Sequence, residues 1–352
     1  MSRFLVEKLQ SLSAYVPGEQ PRDKKYVKLN TNESPFTAAP AVIEAVSRAA
    51  SDLQLYPDPD CNAILDRLSA SYGLPKEKLI VCNGSDEILD FAILAFSDEK
   101  HPVYFPDITY GCYPVFSDKY SVPYVTVPLK DDFTIDVNDY LTQDGTVIIA
   151  NPNAPTGLVL SVEEIEKVVA AKKDRVVIVD EAYVDFGTET CLPLVEKYDN
   201  VLIIRTMSKS SSLAGARLGF AAGSKELISD LYRIKYSTNP YNINRLSAAA
   251  GCAVLDDPEY VNRNCRAIME TRAYASEKLK KLGFEMTDSL ANFIFVTHPK
   301  YKAEDLYLKL KDMGVLVRFF GKKRIENYLR ITIGTKEQMD VLISCLEKIM
   351  EE

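Results

Sequence analysis

The chain has 352 residues, 47% hydrophobic and 26% charged, room for about two domains with cores of their own. A peptide hormone, a lone binding module and a disordered or collagen-like chain are excluded. Lys plus Arg number 42 against 50 Asp plus Glu, a formal charge of -8, which is the wrong sign for a general nucleic-acid binder. The apolar runs fall far short of the ~20 residues of a spanning helix. Met1 to Gln10 sets charged against apolar residues at helical spacing, without the continuous apolar centre of a signal peptide. The expectation is a cytoplasmic protein with neither nucleic acid nor membrane as partner. Its seven cysteines are scattered, with no C-x-x-C pair, and the only histidines are His101 and His298. These read as reduced thiols and leave no His/Cys zinc site. Chemistry falls to Lys, Tyr, Asp, Arg or a bound cofactor.

In chain order, the apolar runs Leu79 to Cys82, Val103 to Phe105, Tyr124 to Val127, Thr146 to Ala150, Val176 to Val179, Val201 to Ile204 and Leu218 to Ala222 predict strands. Several are apolar at nearly every position, the pattern of a largely parallel sheet covered on both faces. Helices are predicted between them at Glu87 to Phe96 and Ser161 to Ala171, the second opening on a capping box of Ser161 and Glu164. After about Pro240 the rhythm changes. A long helix near Pro258 to Leu282 precedes short strands at Phe293 to Val296, Val315 to Phe319 and Tyr328 to Ile333, then a helix from Lys336 capped by Thr335 with Gln338. An α+β domain therefore accompanies the α/β one.

In a parallel sheet the ligand crevice lies beyond the carboxyl ends of the strands. Three such ends carry chemistry: Asn151-Pro-Asn-Ala-Pro-Thr-Gly157, Asp180-Glu-Ala-Tyr183 and Arg205-Thr-Met-Ser-Lys209. Asp180 alone could cap a helix, and Lys209 alone could be a surface lysine. Together, a lysine able to form a Schiff base and a carboxylate able to keep a ring nitrogen protonated are the recurring protein contribution to pyridoxal phosphate chemistry. Lys209 would also carry the proton at the substrate Cα, and Tyr183 could donate to the ring hydroxyl. For the phosphate, Asn83-Gly84-Ser85-Asp86 leads from a strand straight into a helix and would point backbone N–H groups at an anion. Ser208 and Arg217 offer a hydroxyl and a guanidinium fork. Arg330 sits inside the apolar run Tyr328-Leu-Arg-Ile-Thr-Ile, where a charge is costly unless paired; a ligand anion or an edge position facing solvent would satisfy it.

At this point the sequence resembles the fold-type-I pyridoxal-phosphate aminotransferases, specifically the histidinol-phosphate aminotransferase family. The resemblance runs essentially end to end. It is carried by Tyr15-Val-Pro-Gly18, Leu29-Asn-Thr-Asn-Glu-Ser-Pro35, Tyr56-Pro-Asp-Pro59, Asn83-Gly-Ser-Asp-Glu87, Thr109-Tyr-Gly-Cys-Tyr113, the three strand-end motifs, the run on to Arg217, and Leu329-Arg-Ile-Thr-Ile-Gly-Thr335. It implies an α/β fold with a mostly parallel central sheet flanked by helices. A large cofactor domain would span 38–242, and a smaller α+β domain would draw on both termini, 1–37 and 243–352.

The resemblance also implies roles. Lys209 would carry pyridoxal 5'-phosphate, with Asp180 at the pyridinium nitrogen, Tyr183 at O3′ and Tyr110 stacked on the ring. Gly84, Ser85, Asp86, Thr206, Ser208 and Arg217 would surround the cofactor and its phosphate, which Tyr56 of a neighbouring subunit would reach in a homodimer. Arg330 and Arg318 would bind the substrate's distal anion, with Tyr15 and Asn32 beside it. Relatives mostly read Asn-Asn-Pro-Thr-Gly where this chain has Ala154 before Pro-Thr-Gly; the O3′ bond of that Asn is lost unless Asn153 replaces it. The implied reaction converts L-histidinol phosphate and 2-oxoglutarate to imidazole acetol phosphate and L-glutamate. Rivals on the same fold are an aromatic amino-acid aminotransferase and a threonine-phosphate decarboxylase. A pyridoxal-phosphate-binding sensor is a non-enzymatic rival, which Lys209, Asp180 and the acidic charge disfavour.

Overall fold

The computed structural model describes residues 2–10 and 12–351; Met1, Ser11 and Glu352 lie outside the described residues. Its strands are β1 Val27–Lys28, β2 Leu79–Cys82, β3 Val103–Pro106, β4 Tyr124–Val127, β5 Thr146–Ala150, β6 Val177–Asp180, β7 Val201–Thr206, β8 Gly219–Ala222, β9 Glu285–Met286, β10 Phe293–Thr297, β11 Val315–Leu316, β12 Arg318–Phe319 and β13 Tyr328–Thr332. Seven of them form one sheet in the order β2-β8-β7-β6-β5-β3-β4. β8 alone runs antiparallel to its neighbours β2 and β7. β2, β5, β6, β7 and β8 are buried at every position, as unbroken apolar runs require when helices cover both faces. β4, at the sheet edge, exposes three of its four residues.

The predicted helix after β2 begins at Gly84, three residues before its apolar run, because Asn83 closes a tight turn directly on the strand. Both predicted capping boxes form, Ser161 with Glu164 and Thr335 with Gln338. The N-terminal periodicity yields only one 3-10 turn, Glu7–Leu9. Such a short segment buries nothing there, so little offsets the cost of a longer helix.

A second, four-stranded sheet runs β12-β13-β10-β9, all antiparallel, and β1 pairs in parallel with β11. The single strand expected over Val315 to Phe319 is therefore two strands that serve different sheets, with the chain turning at Val317. The result matters for the site. β11 holds the N-terminal segment through Val27 and Lys28, while β12 delivers Arg318 beside β13. An apolar cluster containing Leu29, Ala154, Tyr183, Phe293 and Ile331 joins the N-terminal segment, the ends of the large sheet and the small sheet. Among the described residues no helix is long and apolar enough to cross a membrane.

Candidate active site

The carboxyl ends of β5, β6 and β7 open into a cleft of about 390 Å³, whose wall includes Asp180, Tyr183, Thr206, Ser208 and Lys209, with Ser85, Asp86, Tyr110 and Arg217 facing them. Distant strand ends are thus brought to one crevice, as the order of a doubly wound sheet demands.

Asp180 is buried at the end of β6. Its Oδ2 accepts from the Tyr113 hydroxyl at 2.8 Å and its Oδ1 from the Ala182 N–H at 3.2 Å. Burial pushes its carboxyl up to about 6, against the pull of these donors and of Lys209. Lys209 is pushed the other way, down to about 8, by burial first and by Arg330 and Arg217 next. Its Nζ approaches only the Thr31 carbonyl, at 3.4 Å, and lies 6.0 Å from the centre of the Tyr183 ring. Tyr183 accepts from the Asn32 amide at 3.0 Å. The Asn32 carbonyl oxygen in turn accepts from Thr332. With its oxygen served by Asn32, Tyr183 keeps its own proton to donate into the cleft. Asn32, expected at the substrate, bonds Tyr183 and Thr332.

The phosphate end is built from close backbone approach. Gly84 has φ +80°, and a Cβ there would stand 2.7 Å from the Arg217 guanidinium; one on Gly219 would stand 2.5 Å from the Ser85 nitrogen. Only glycines let β8 and Arg217 pack over the start of helix Gly84–Phe96, whose free N–H groups and dipole suit an anion. Asp86 accepts from Tyr110 at 2.9 Å and from Arg217 at 3.0 Å, so one carboxylate ties the ring-side tyrosine to the phosphate-side arginine. Thr206 donates to Ser208 at 2.9 Å.

Asn153 does not enter the cleft. Its Oδ1 accepts from Thr109, and its Nδ2 donates to the Ile108 carbonyl and to Thr156, which engages both amide hydrogens away from the cleft. Ala154 lines the cleft and Asn153 does not. Tyr56 lies outside the cleft, 76% exposed, and stacks on Tyr241 at 4.7 Å.

Beyond the cleft, Arg318 and Arg330 are register partners across β12 and β13. Arg330 Nη2 donates to the Asn30 carbonyl at 3.0 Å, while its Nε is buried without a partner among the described residues. Arg318 holds the Val16 and Pro17 carbonyls, and Tyr15 beside them faces Tyr110 at 6.1 Å between ring centres.

Several contributors were not singled out from sequence. Tyr113, which the sequence offered in the Thr109 to Tyr113 motif only as a core, interface or stacking aromatic, supports Asp180. Glu33 and Gln20 line the cleft from the N-terminal segment; the only signal for Glu33 was its place in the Leu29 to Pro35 motif.

A lysine, a strand-end carboxylate, a glycine-bounded anion cradle and a pair of arginines define the class of site that aminotransferases carry. The chain belongs to the family described as aminotransferase class I and II, which matches residues 24–346. It is 48% identical to the histidinol-phosphate aminotransferase of Brachyspira hyodysenteriae and 46% to that of Clostridium botulinum, each over all of both chains. It superposes on histidinol-phosphate aminotransferase from Sinorhizobium meliloti in complex with pyridoxal-5'-phosphate with TM-score 0.92 at 24% identity, covering 100% of this chain and 98% of that one. L-threonine-O-3-phosphate decarboxylase from Porphyromonas gingivalis shares the fold, with TM-score 0.81 at 20% identity, 92% of this chain and 99% of that one.

Proposed function

We propose that the protein transfers the amino group of L-histidinol phosphate to 2-oxoglutarate, giving imidazole acetol phosphate and L-glutamate, with pyridoxal 5'-phosphate as cofactor. The observation that carries this reading is the Arg318–Arg330 pair standing beside the Lys209–Asp180 cleft. Like charges directly opposite on a sheet destabilise it, so the pair makes sense as a receptor for an anionic substrate. Guanidinium forks match phosphate and carboxylate alike, and one pocket can serve a phosphate ester and a dicarboxylate in turn.

The residues present fit the cofactor. Among the described residues Asp180 is a buried carboxylate without a cation in hydrogen-bond reach, and Lys209 a half-buried amine without a carboxylate partner; a pyridinium and an aldehyde would relieve both. Ser85, Ser208, Arg217 and the helix start at Gly84 would hold the phosphate, and Tyr110 would cover the ring. When bound, the group supplies an electron sink for the substrate's Cα–H bond.

The rest of the chemistry belongs to the chain. Lys209, whose amine burial pushes down to about 8, would carry the proton from the substrate Cα to the cofactor carbon. Asp180 holds a proton at the ring nitrogen, and Tyr113 holds Asp180. Tyr183 donates toward O3′, alone because position 154 is alanine. Arg330 and Arg318 orient the substrate anion, and Tyr15 excludes water over it. Residues 38–242 would serve as the cofactor domain, with 1–37 and 243–352 as its cover, in a cytoplasmic enzyme.

We further propose a homodimer with shared sites. Arg245 fixes the Leu55 and Tyr56 carbonyls at 2.9 and 3.0 Å, so an exposed aromatic is held rigidly outward, where a partner's phosphate would meet it.

The test is a titration of the cofactor-loaded protein with L-histidinol phosphate in the absence of any keto acid. Loss of the absorption of the lysine-bound cofactor supports this donor. An unchanged spectrum overturns it and turns attention to aromatic amino acids, and release of CO₂ in a parallel titration with L-threonine-O-3-phosphate would instead favour decarboxylation.

A further inference from the structure

Asp180, Tyr183 and Lys209 lie on two short segments, 180–185 and 205–210, and one side chain grips both. Thr206 lines the cleft; its neighbour on β7, Arg205, does not, since alternate residues of a strand point to opposite faces. Arg205 is buried. Its guanidinium is hydrogen-bonded to Asp185 and stands 3.9 Å from Glu181. It donates to the Tyr72 hydroxyl at 3.1 Å and lies against the Tyr72 and Phe220 rings, 5.3 and 5.9 Å from their centres. Glu181 directly follows Asp180 and is held by Thr190 at 2.6 Å and the Cys191 N–H at 2.5 Å. Asp185 follows Tyr183 by two residues, and its other oxygen accepts from Ser210, the residue after Lys209, at 2.5 Å.

Arg205 and Glu181 are buried while Asp185 is a third exposed, and taking the first two from water is a poor way to gain stability, because apolar side chains of like size do as well or better. What the cluster supplies is geometry: each bond has one direction and one partner. We propose that Arg205 and Asp185 are positioning residues for the reaction, fixing the Lys209 turn against the Asp180–Tyr183 segment through Ser210 and Glu181. This rests on the reading that these three groups serve pyridoxal phosphate and the substrate.

The test uses the cofactor-loaded enzyme with Ser210→Ala, Asp185→Asn and both together. It reads kcat, KM, the melting temperature and the visible circular dichroism of the bound cofactor, which reports its fixed orientation. Each single variant should lower kcat about tenfold, as sub-ångström misplacement does, and weaken the dichroism. KM should stay within about twofold, and the double variant should be no worse than the poorer single because both break one linkage. Unchanged kcat and dichroism would overturn the proposal, as would losses that multiply and merely follow the melting temperature. If Asp185→Asn fails to fold, Ser210→Ala, which deletes one hydroxyl, decides by the same criteria. A wrong amino donor would silence the kinetics of the unsubstituted protein but leave the dichroism readable, so the two failures are distinct.

Discussion

Arg318 and Arg330 stand directly opposite each other on antiparallel strands, and Arg318 depresses the proton affinity of a guanidinium already desolvated at Arg330. An anion between them removes both penalties. Arg330→Lys keeps the charge but loses the fork. We expect KM to rise about tenfold or more for L-histidinol phosphate and for 2-oxoglutarate alike, the scale of a hydrogen bond to a charged group. Steady-state kinetics with each substrate check this, and normal values with either refute a shared pocket.

Asp180 titrates near 6 in the folded chain, above its unfolded value, so between about pH 4 and 6 the folded state binds the extra proton. This group therefore costs the cofactor-free protein stability as pH rises through that window. Asp180→Asn should be no more stable than the parent at pH 4 and gain on it, by an amount on the order of 2 kcal/mol, by pH 7. Denaturant melts across that range measure the difference. A constant difference would mean that the carboxyl is not desolvated.

Lys209, lowered to about 8, must be neutral to capture an aldehyde. Cofactor loading followed by absorbance should quicken as pH rises from 6.5 to 9.5, with its midpoint near about 8. Lys209→Ala should abolish both covalent loading and turnover; retained activity would sink the assignment.

Asn153 and Tyr183 should separate cleanly. Asn153→Ala removes three hydrogen bonds, two of them buried, and should cost about 2 to 3 kcal/mol of stability, leaving the spectrum of bound cofactor unmoved. Tyr183→Phe should instead shift that spectrum and lower kcat by about a hundredfold, because no neighbouring amide shares its task. A spectral change in the first variant would restore Asn153 to the site.

The sequence by itself determined most strands of the large sheet and which residues follow their ends. Unbroken apolar runs marked strands covered on both faces, and Asp180, Tyr183 and Lys209 followed the ends of such runs, where a parallel sheet must place its ligand. The capping boxes are local matters, settled within a few residues, whereas Gly84 and Gly219 are required by the close approach of Arg217 and Ser85 from distant segments. What only tertiary structure decided are relations across long separations. Val317 divides one apolar run between two sheets, because β1 and β13 compete for it. Arg318 meets Arg330 through register, and Tyr113 meets Asp180 across 67 positions. Asn153 turns away because Thr109 and Ile108 hold it, whereas Asn32 is claimed by Tyr183 and Thr332. A side chain's type is written in the chain, but the partner that takes up its hydrogen bonds is chosen by whichever distant segment packing brings within about 3 Å.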